Sequence, residues 1–178
     1  MMNNNESLTS NYSFHFLIHK PEYIEEMARI FYNEWQDTYH SFGLNNLQDV
    51  MQDMKDNHAA NHDQIPILLI ALDKNNQNLV ATAGMEKCDV PANNPYYNTT
   101  PWMACVYTKP EYRGKGIAKF MVNKLLEFAK KQNYTHVWLW TENATSLYEK
   151  LGFHLVETIK HIGMDIMIMR IDFDASLY

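Results

Sequence analysis

One segment of the chain constrains its fold more than any other. An apolar strand meets an amphipathic helix through a turn that holds two glycines, in the sequence Val106-Tyr-Thr-Lys-Pro-Glu-Tyr-Arg-Gly-Lys-Gly-Ile-Ala-Lys119. Gly114 and Gly116 allow the backbone to approach a ligand closely. The first N–H groups of a helix have no partners within the helix, and they point outward at its positive end. The segment therefore predicts an anion-binding cradle, and a pyrophosphate group is the ligand that suits it best.

Two other kinds of phosphate-binding loop do not fit this segment. A dinucleotide-binding fingerprint needs a third glycine where Lys119 stands, and a P-loop needs Gly-Lys-Ser/Thr after a four-residue gap. Charge favours a small anionic ligand, because the stretch from Lys109 to Lys131 carries a net +5 on a chain whose net charge is −6. A solvated helix face is the alternative interpretation of these bases. The acidic balance of the whole chain argues against a nucleic-acid partner.

Length and composition indicate one soluble domain spanning residues 1–178. The chain has 178 residues, of which 46% are apolar, and this is enough for a buried core. Its longest uncharged apolar run, Ile65 to Leu72, is too short to span a membrane. Residues 1–11 are polar, which predicts a flexible tail rather than a secretion signal. Cys88 and Cys105 are expected to be free thiols, and the expected location is cytoplasmic.

Apolar periodicity predicts a mixed α/β order in which helices are inserted into a mostly antiparallel sheet. The predicted strands are Tyr12–Ile18, Ile67–Leu72, Leu79–Cys88, Trp102–Thr108, Thr135–Thr141, Phe153–Thr158 and Gly163–Phe173. The predicted helices begin at Pro21, Leu44, Gly114 and Ala144. The last strand is apolar on both faces from Ile166 to Met169, so it should be covered by a helix or by a second subunit. A homodimer is therefore possible.

Two motifs together resemble a known family. Arg113-Gly-Lys-Gly-Ile-Ala118 resembles the Arg/Gln-x-x-Gly-x-Gly/Ala signature of the GNAT superfamily of N-acetyltransferases, and Leu147-Tyr-Glu-Lys-Leu-Gly-Phe153 resembles its second segment. The predicted element order matches that family over nearly the whole chain. The chain most resembles the small bacterial members of the family. The resemblance implies a seven-stranded, mostly antiparallel sheet with helices on both faces. It also implies a splayed parallel strand pair that holds the co-substrate acetyl-CoA.

The resemblance also implies a set of residues that hold acetyl-CoA. The pantetheine arm would follow the first splayed strand, and the pyrophosphate would lie on the turn and the start of the helix. These residues are Val106, Tyr107, Thr108, Arg113, Gly114, Lys115, Gly116, Ile117, Ala118 and Lys119. Lys109, Lys115 and Lys119 are candidates for outer phosphate contacts. Thr141 stands where the family often has an asparagine and Asn143 lies two residues away, and both are assigned to the cofactor site.

Acyl transfer to an amine needs a proton acceptor and a donor for the departing thiolate. The resemblance assigns the donor role to Tyr148, and the alternative is a tyrosine that only packs on the sheet. Glu86 is the candidate base on the strand beside the cofactor strand, with Asp89 second. The alternative for Glu86 is a surface carboxylate paired with Lys87. Carbonyl polarisation would come from a backbone N–H of the Val106–Thr108 strand.

Other residues carry weaker predictions. His58 and His62 have a metal-ligand spacing on a predicted helix, but the sequence offers no third ligand, and no metal is expected. Five aromatic residues are candidates to line an acceptor pocket: Trp35, Tyr39, Tyr96, Tyr97 and Trp102. For Trp35 the sequence favours core packing on its helix face. Trp138 and Trp140 are predicted to belong to the core.

The predicted activity is transfer of an acetyl group from acetyl-CoA to a primary amine of a small molecule or peptide, by direct attack in a ternary complex. Two alternatives remain: a non-catalytic acyl-CoA-binding sensor module, and an O-acetyl or longer-acyl transferase. In the family, the acceptor site is bordered by the first two helices and a later loop, here Pro21–His58 and Pro91–Pro101. Residues 1–63 carry a net −7, which favours a cationic acceptor. Neither a membrane nor a nucleic acid is an expected partner.

Overall fold

Seven strands form one mixed sheet in the computed structural model, which describes residues 4–173. The strands are β1 (Tyr12–Phe16), β2 (Ile67–Asp73), β3 (Leu79–Glu86), β4 (Trp102–Thr108), β5 (His136–Thr141), β6 (His154–His161) and β7 (Met164–Asp172). Their order in the sheet is β1-β2-β3-β4-β5-β7-β6. Every neighbouring pair is antiparallel except β4 and β5, which are parallel. The predicted seven-stranded, mostly antiparallel sheet is confirmed.

Six α-helices accompany the sheet in residues 4–173. They are α1 (Asn4–Asn11), α2 (Ile24–Glu34), α3 (Gln36–Ser41), α4 (Leu47–Asp53), α5 (Ile117–Lys131) and α6 (Thr145–Glu149). Short 3-10 turns cover Leu17–His19, Pro21–Tyr23 and Pro110–Tyr112, and a π-helical turn covers Met54–His58. None of the helices in this part of the chain has both the length and the apolar character needed to cross a bilayer.

The interior strand β2 shows how helices cover both faces of the sheet. Its side chains alternate between two buried clusters, so the strand is apolar at successive positions. Ile67 and Leu69 belong to the cluster that contains α5, whereas Leu68 and Ile70 belong to the cluster that contains α2 and α4. This arrangement confirms helices on both faces. It also accounts for the longest apolar run of the sequence.

Part of the segment expected to be a flexible tail is a helix. Within α1, Leu8 is 9% exposed and packs against the core. The Lys74 ammonium donates to the Thr9 carbonyl at 2.7 Å, and the Lys74 N–H donates to the Asn11 carbonyl at 3.0 Å. One apolar contact and two hydrogen bonds hold a stretch whose composition gives no helical signal. Residues 1–3 of the expected tail lie outside the described residues.

The apolar strand β7 is covered by the chain itself. Ile166 and Ile168 are fully buried in a cluster with Trp102, Trp138 and Val90. Val90 belongs to the irregular segment 87–101 between β3 and β4, so this loop supplies the cover. The expectation that a helix or a second subunit covers this strand was therefore wrong for this face.

The parallel strands β4 and β5 separate soon after they begin. Only Trp102 and Trp138 are paired, and the Trp138 N–H donates to the Pro101 carbonyl at 2.9 Å. Along its other edge, β4 stays paired with β3 but carries a bulge at Cys105, whose φ of 55° is left-handed. Bulges sharpen strand bending and re-aim side chains. From Met103 onward, the edge of β4 that faces β5 borders an open cleft.

Candidate active site

A cleft of about 1200 Å³ opens where β4 and β5 separate. Three parts of the chain line it: the turn before α5, the edge of β4 and a polar wall. The polar wall is formed by Glu34, Tyr39, Asp53, His58, Glu86, Asp89, Trp140 and Glu142. Tyr148 of α6 also lines the cleft. The two sequence motifs and the two predicted catalytic residues therefore meet in one cavity.

The turn before α5 has the geometry of an anion cradle. Gly114 and Gly116 have φ values of 76° and 83°, and a Cβ at either position would meet nothing within 4 Å. Helix α5 begins at Ile117, so its first N–H groups are available at the same place. The Arg113 side chain donates from Nε to the Thr108 carbonyl at 2.9 Å, which ties the turn to the end of β4. These residues fit a phosphate group of an acetyl-CoA molecule.

Of the twelve residues assigned to the cofactor site, eleven line the cleft. Among them, the buried Thr108 Oγ1 has no hydrogen-bond partner within residues 4–173, so it is free to bind a ligand. The exception is Lys115, whose ammonium lies 4.8 Å from the centre of the Tyr112 ring. Lys109, a predicted outer phosphate contact, does not line the cleft and is ion-paired with Glu26 at 2.7 Å. Its role as a phosphate contact is therefore not supported.

The two positions of uncertain alignment both lie at the cleft. Thr141 Oγ1 accepts a hydrogen bond from the Ala144 N–H at 3.1 Å, which fixes the turn that leads into α6. Asn143 lies in that turn and lines the cavity. The Thr141 hydroxyl is thus used within the turn. Of the two side chains, the amide of Asn143 is the one available to bind a ligand.

Tyr148 is both a packing residue and a cleft residue. It is 7% exposed, and its ring lies edge-on to Phe153 with 5.8 Å between the centroids. Burial, with a further contribution from the Asp89 charge, raises the pKa of Tyr148 to about 12. The phenol therefore keeps its proton at neutral pH. Packing on the sheet and donation of a proton or hydrogen bond are therefore compatible roles for Tyr148.

Glu86 at the end of β3 is paired with His58 and not with Lys87. Its side chain is 16% exposed, and Oε1 lies 2.5 Å from His58 Nε2. On the other side of the ring, His58 Nδ1 lies 3.7 Å from Asp53 Oδ2. Burial is the largest single effect and disfavours the charged imidazole, but the carboxylates of Glu86, Asp53 and Asp89 together outweigh it and raise the pKa of His58 above its usual value. The surface interpretation of Glu86 was wrong.

A π-helical turn places His58 in this wall. The Ala59 N–H donates to the Met54 carbonyl at 2.8 Å, five residues back, so the chain widens after α4 instead of continuing as the predicted helix to His58. Such turns are frequent at functional sites. His62, which shares a metal-ligand spacing with His58 in the sequence, has its ring 5.5 Å from that of His19. Sequence spacing alone gave no signal for the contact between His58 and Glu86.

Two of the five candidate pocket aromatics line the cleft. Trp35 is half-buried against Phe31, and Tyr39 follows it on α3. The other three lie elsewhere: Tyr96 donates to the Glu157 carboxylate at 2.7 Å, Tyr97 is exposed, and Trp102 is fully buried. Trp140 was expected in the core, but it lines the cleft and donates to the Asp89 carbonyl at 2.8 Å.

Acidic side chains are prominent in the polar wall of the cleft. Five acids line the cleft: Glu34, Asp53, Glu86, Asp89 and Glu142. Only two of these belong to the ten acids of residues 1–63 on which the cationic-acceptor prediction rested. Burial and the nearby Glu86 charge raise the pKa of Asp89 well above its usual range. Glu34 and Asp53 come from the first helices, Glu86 and Glu142 from the ends of β3 and β5, and Asp89 holds its charge least firmly of the five.

Comparison with known proteins identifies the family of the chain that forms this cleft. The sequence profile described as "Acetyltransferase (GNAT) family" matches residues 24–153 of the chain. The chain belongs to the GNAT acetyltransferase family. The match includes the β4–α5 turn, the Glu86 strand and the Tyr148 segment. The chain is an acyltransferase by family, and the donor that the family implies is acetyl-CoA.

Individual relatives agree with this assignment. An uncharacterized N-acetyltransferase of Methanocaldococcus jannaschii is 36% identical over 59 residues, which are 31% of this chain and 26% of that protein. The chain thus matches about a quarter of the length of this curated relative. A GNAT acetyltransferase from Staphylococcus aureus Mu50 superposes with a TM-score of 0.63 at 16% identity, over 90% of this chain and 99% of that chain. A Bacillus anthracis acetyltransferase in complex with acetyl coenzyme A superposes with a TM-score of 0.52 at 20% identity, over 66% of each chain.

Proposed function

We propose that this GNAT protein transfers the acetyl group of acetyl-CoA to a primary amine of a small molecule or peptide, by direct attack in a ternary complex. One observation carries the proposal. A single cleft joins an anion cradle, a free strand edge and a carboxylate wall that holds Glu86, with Tyr148 in the same cavity. The cradle suits the phosphates of the donor, and the acidic wall suits an amine. A binding module would need the cradle but not the wall.

Each proposed role follows from where a group lies in the cleft. Glu86 takes the amine proton, directly or through water, while His58 holds one of its oxygens at 2.5 Å. A backbone N–H of β4 near the bulge at Cys105 polarises the thioester carbonyl, because two β4 residues there face one residue of β3 and a ladder bond is lost. Tyr148 donates a hydrogen bond to the departing sulfur.

A thiol-release assay tests the reaction. The chain is incubated with acetyl-CoA and a panel of amines that covers polyamines, aminoglycosides, amino acids and peptides, and free coenzyme A is measured. Amine-dependent release supports the proposal. Binding of acetyl-CoA without release from any amine would favour the sensor alternative. Faster release with alcohols or with longer acyl donors would favour the other alternative.

The cradle predicts the effect of one substitution on donor binding. Acetyl-CoA at a hundredfold excess over its Kd should stabilise the parent by about 2.7 kcal/mol, through mass action. Gly116→Asp places a side chain and a negative charge where the phosphates would lie, so this variant should show little or no stabilisation. The measurement is the melting temperature with and without acetyl-CoA.

A matched variant separates the loss of the cradle from backbone strain. Gly163 in the β6–β7 turn has a φ of 78° and equally open surroundings, but it does not line the cleft. Gly163→Asp should therefore lower the melting temperature as Gly116→Asp does, while it keeps the full response to acetyl-CoA. Equal responses in both variants would place the phosphates elsewhere.

We propose in addition that the acceptor is cationic. Five carboxylates line the cleft, with Trp35 and Tyr39 beside them to contact a cationic group. Such a surface raises the association rate of cations, and salt weakens the effect because the screening length is about 10 Å at 0.1 M. The kcat/KM for the best amine should therefore fall as salt rises.

The salt response should depend on the cleft acids in particular. Glu34→Gln should flatten the dependence of kcat/KM on salt, since Glu34 is an acid that lines the cleft. Glu127→Gln removes an exposed acid of α5 outside the cleft and should leave the dependence unchanged. A flat profile in the parent, or a preference for anionic acceptors, would contradict the proposal.

A further inference from the structure

Three potential metal ligands of different chemistry meet in the cleft wall. His58, Glu86 and Cys105 each offer one ligand atom, and these atoms all lie within 4.8 Å of one another. They come from the π-helical turn, the end of β3 and the bulge of β4. We propose that this trio binds a divalent transition-metal ion of the zinc type, and that the bound ion blocks acetyl transfer. The binding stands on its own, whereas the inhibition rests on the proposed function.

The donor set selects the class of ion. An imidazole nitrogen, a carboxylate oxygen and a thiolate suit Zn²⁺ and its neighbours in the first row rather than Mg²⁺ or Ca²⁺. In a tetrahedral zinc site the ligand atoms lie about 3.4 Å apart, given metal–ligand bonds of about 2.0–2.3 Å. The widest separation of 4.8 Å must close and the 2.5 Å contact between His58 and Glu86 must open. Each change is about 1 Å, within the reach of side-chain rotation.

Asp53 supplies a second, independent observation. The Nδ1 atom of His58 is buried without a hydrogen-bond partner within residues 4–173, and Asp53 Oδ2 lies 3.7 Å from it. A histidine that binds a metal through one nitrogen almost always donates from the other nitrogen to a carboxylate or a carbonyl. With Nε2 on the metal, the proton of His58 lies on Nδ1 and faces Asp53. The distance of 3.7 Å between His58 Nδ1 and Asp53 Oδ2 is slightly too long for a hydrogen bond. A small shift of His58 toward a metal ion would allow Asp53 to accept that bond and orient the ring.

Charge and access also fit a cation at this place. The carboxylates of Asp53, Glu86 and Asp89 surround a single imidazole, and all of these residues line a cleft that is open to solvent. Binding forms three metal–ligand bonds, while the fourth position takes water from the cleft. The thiol proton of Cys105 is released to solvent, and the proton that His58 Nε2 shares with Glu86 leaves that nitrogen for Nδ1 or for solvent. A Glu86 carboxylate bound to the ion is a much weaker base, so it can no longer take the amine proton. The ion also neutralises the wall that attracts a cationic acceptor, so inhibition should be competitive with the amine.

Cobalt absorption tests the site directly. The tag-free full chain is titrated with Co²⁺ in a buffer without chelator, and the near-ultraviolet charge-transfer band of a Co²⁺–thiolate bond is recorded. The parent should develop this band at one ion per chain, and Zn²⁺ should abolish it. Cys105→Ser should lose the band. Cys88→Ser is the matched control, because Cys88 also lines the cleft but lies outside the trio, and this variant should keep the band.

Inhibition is measured separately, with the best amine of the panel. Zn²⁺ should inhibit the parent and EDTA should reverse it, while Cys105→Ser should need at least about tenfold more Zn²⁺ for the same inhibition. No cobalt–thiolate band in the parent, or a band that survives in Cys105→Ser, would overturn the metal site. A clear band in a chain that acetylates no amine would leave the site standing and remove the proposed function. Turnover that saturating Zn²⁺ does not slow would overturn the inhibition.

Discussion

Replacement of Glu86 by glutamine should lower kcat/KM for the best amine by about 10²–10⁴-fold, while the affinity for acetyl-CoA stays nearly unchanged. The amide keeps the size of the side chain and can still hydrogen-bond to His58, but it cannot take a proton from the amine. Glu86 is paired with Trp102 at the start of β4, whereas the cradle follows the other end of that strand, so binding of the phosphates should not depend on Glu86. Steady-state kinetics with both substrates varied, together with a melting curve with acetyl-CoA, provide the measurement.

A second acid of the cleft separates proton transfer from simple attraction of the amine. Glu142 also lines the cavity, but it has no contact with His58 like that of Glu86. Glu142→Gln removes the same charge and should change kcat/KM only by the few-fold that weaker steering costs. If both variants lose activity to the same extent, Glu86 acts through its charge alone and the base must be sought elsewhere, first at Asp89.

Tyr148→Phe should lower kcat by about ten- to two-hundredfold with donor affinity intact. The change keeps the ring that packs on Phe153 and removes only the hydroxyl. A hydrogen bond to a charged group contributes about 1.5–3 kcal/mol, and this range converts to that loss in rate. Turnover under saturating acetyl-CoA and amine provides the measurement.

The size of that loss distinguishes two roles of the phenol. A pKa of about 12 makes Tyr148 a weaker acid than a thiol with a pKa near 8.5, so full transfer of its proton to a free thiolate is uphill. We therefore expect stabilisation of the developing charge on sulfur by a hydrogen bond. A loss near 10⁴-fold would instead require true proton transfer in the transition state. Full activity would remove Tyr148 from the mechanism.

A matched tyrosine controls for packing in this experiment. Tyr134 is partly buried against the same core and does not line the cleft. Tyr134→Phe should leave kcat unchanged, and both variants should melt within a few degrees of the parent. Equal losses of kcat in the two variants would indicate a general effect of tyrosine removal on the fold.

The cradle could be predicted from the sequence because its requirements are local. Two glycines, a strand end and a helix start lie within about a dozen residues, and backbone conformation alone decides what they form. Gly114 and Gly116 have the left-handed φ values that the prediction needs. The strand Trp102–Thr108 was predicted with the bounds that the structure gives it, because its apolar run ends at a proline turn. Family membership follows from the same stretch.

The acidic wall could not be predicted, because its contacts join distant parts of the chain. His58 and Glu86 are 28 residues apart, and they meet only because a π-helical turn interrupts the expected helix. Helical spacing paired His58 with His62 instead. The positions of long side chains could not be predicted for a related reason. Lys109 and Lys115 are near the cradle in sequence, but Lys109 is ion-paired with Glu26 and the Lys115 ammonium lies against the Tyr112 ring.

The single paired position between β4 and β5 has a mechanical consequence. The sheet consists of two panels, β1–β4 and β5–β7, whose only shared rung in residues 4–173 lies at Trp102 and Trp138. These two indoles stack with centroids 6.2 Å apart and an interplanar angle of 28°. They lie at the closed end of the cleft and do not line it. We therefore expect a smaller side chain at either position to change the angle between the panels, and with it the width available to a substrate that touches neither residue.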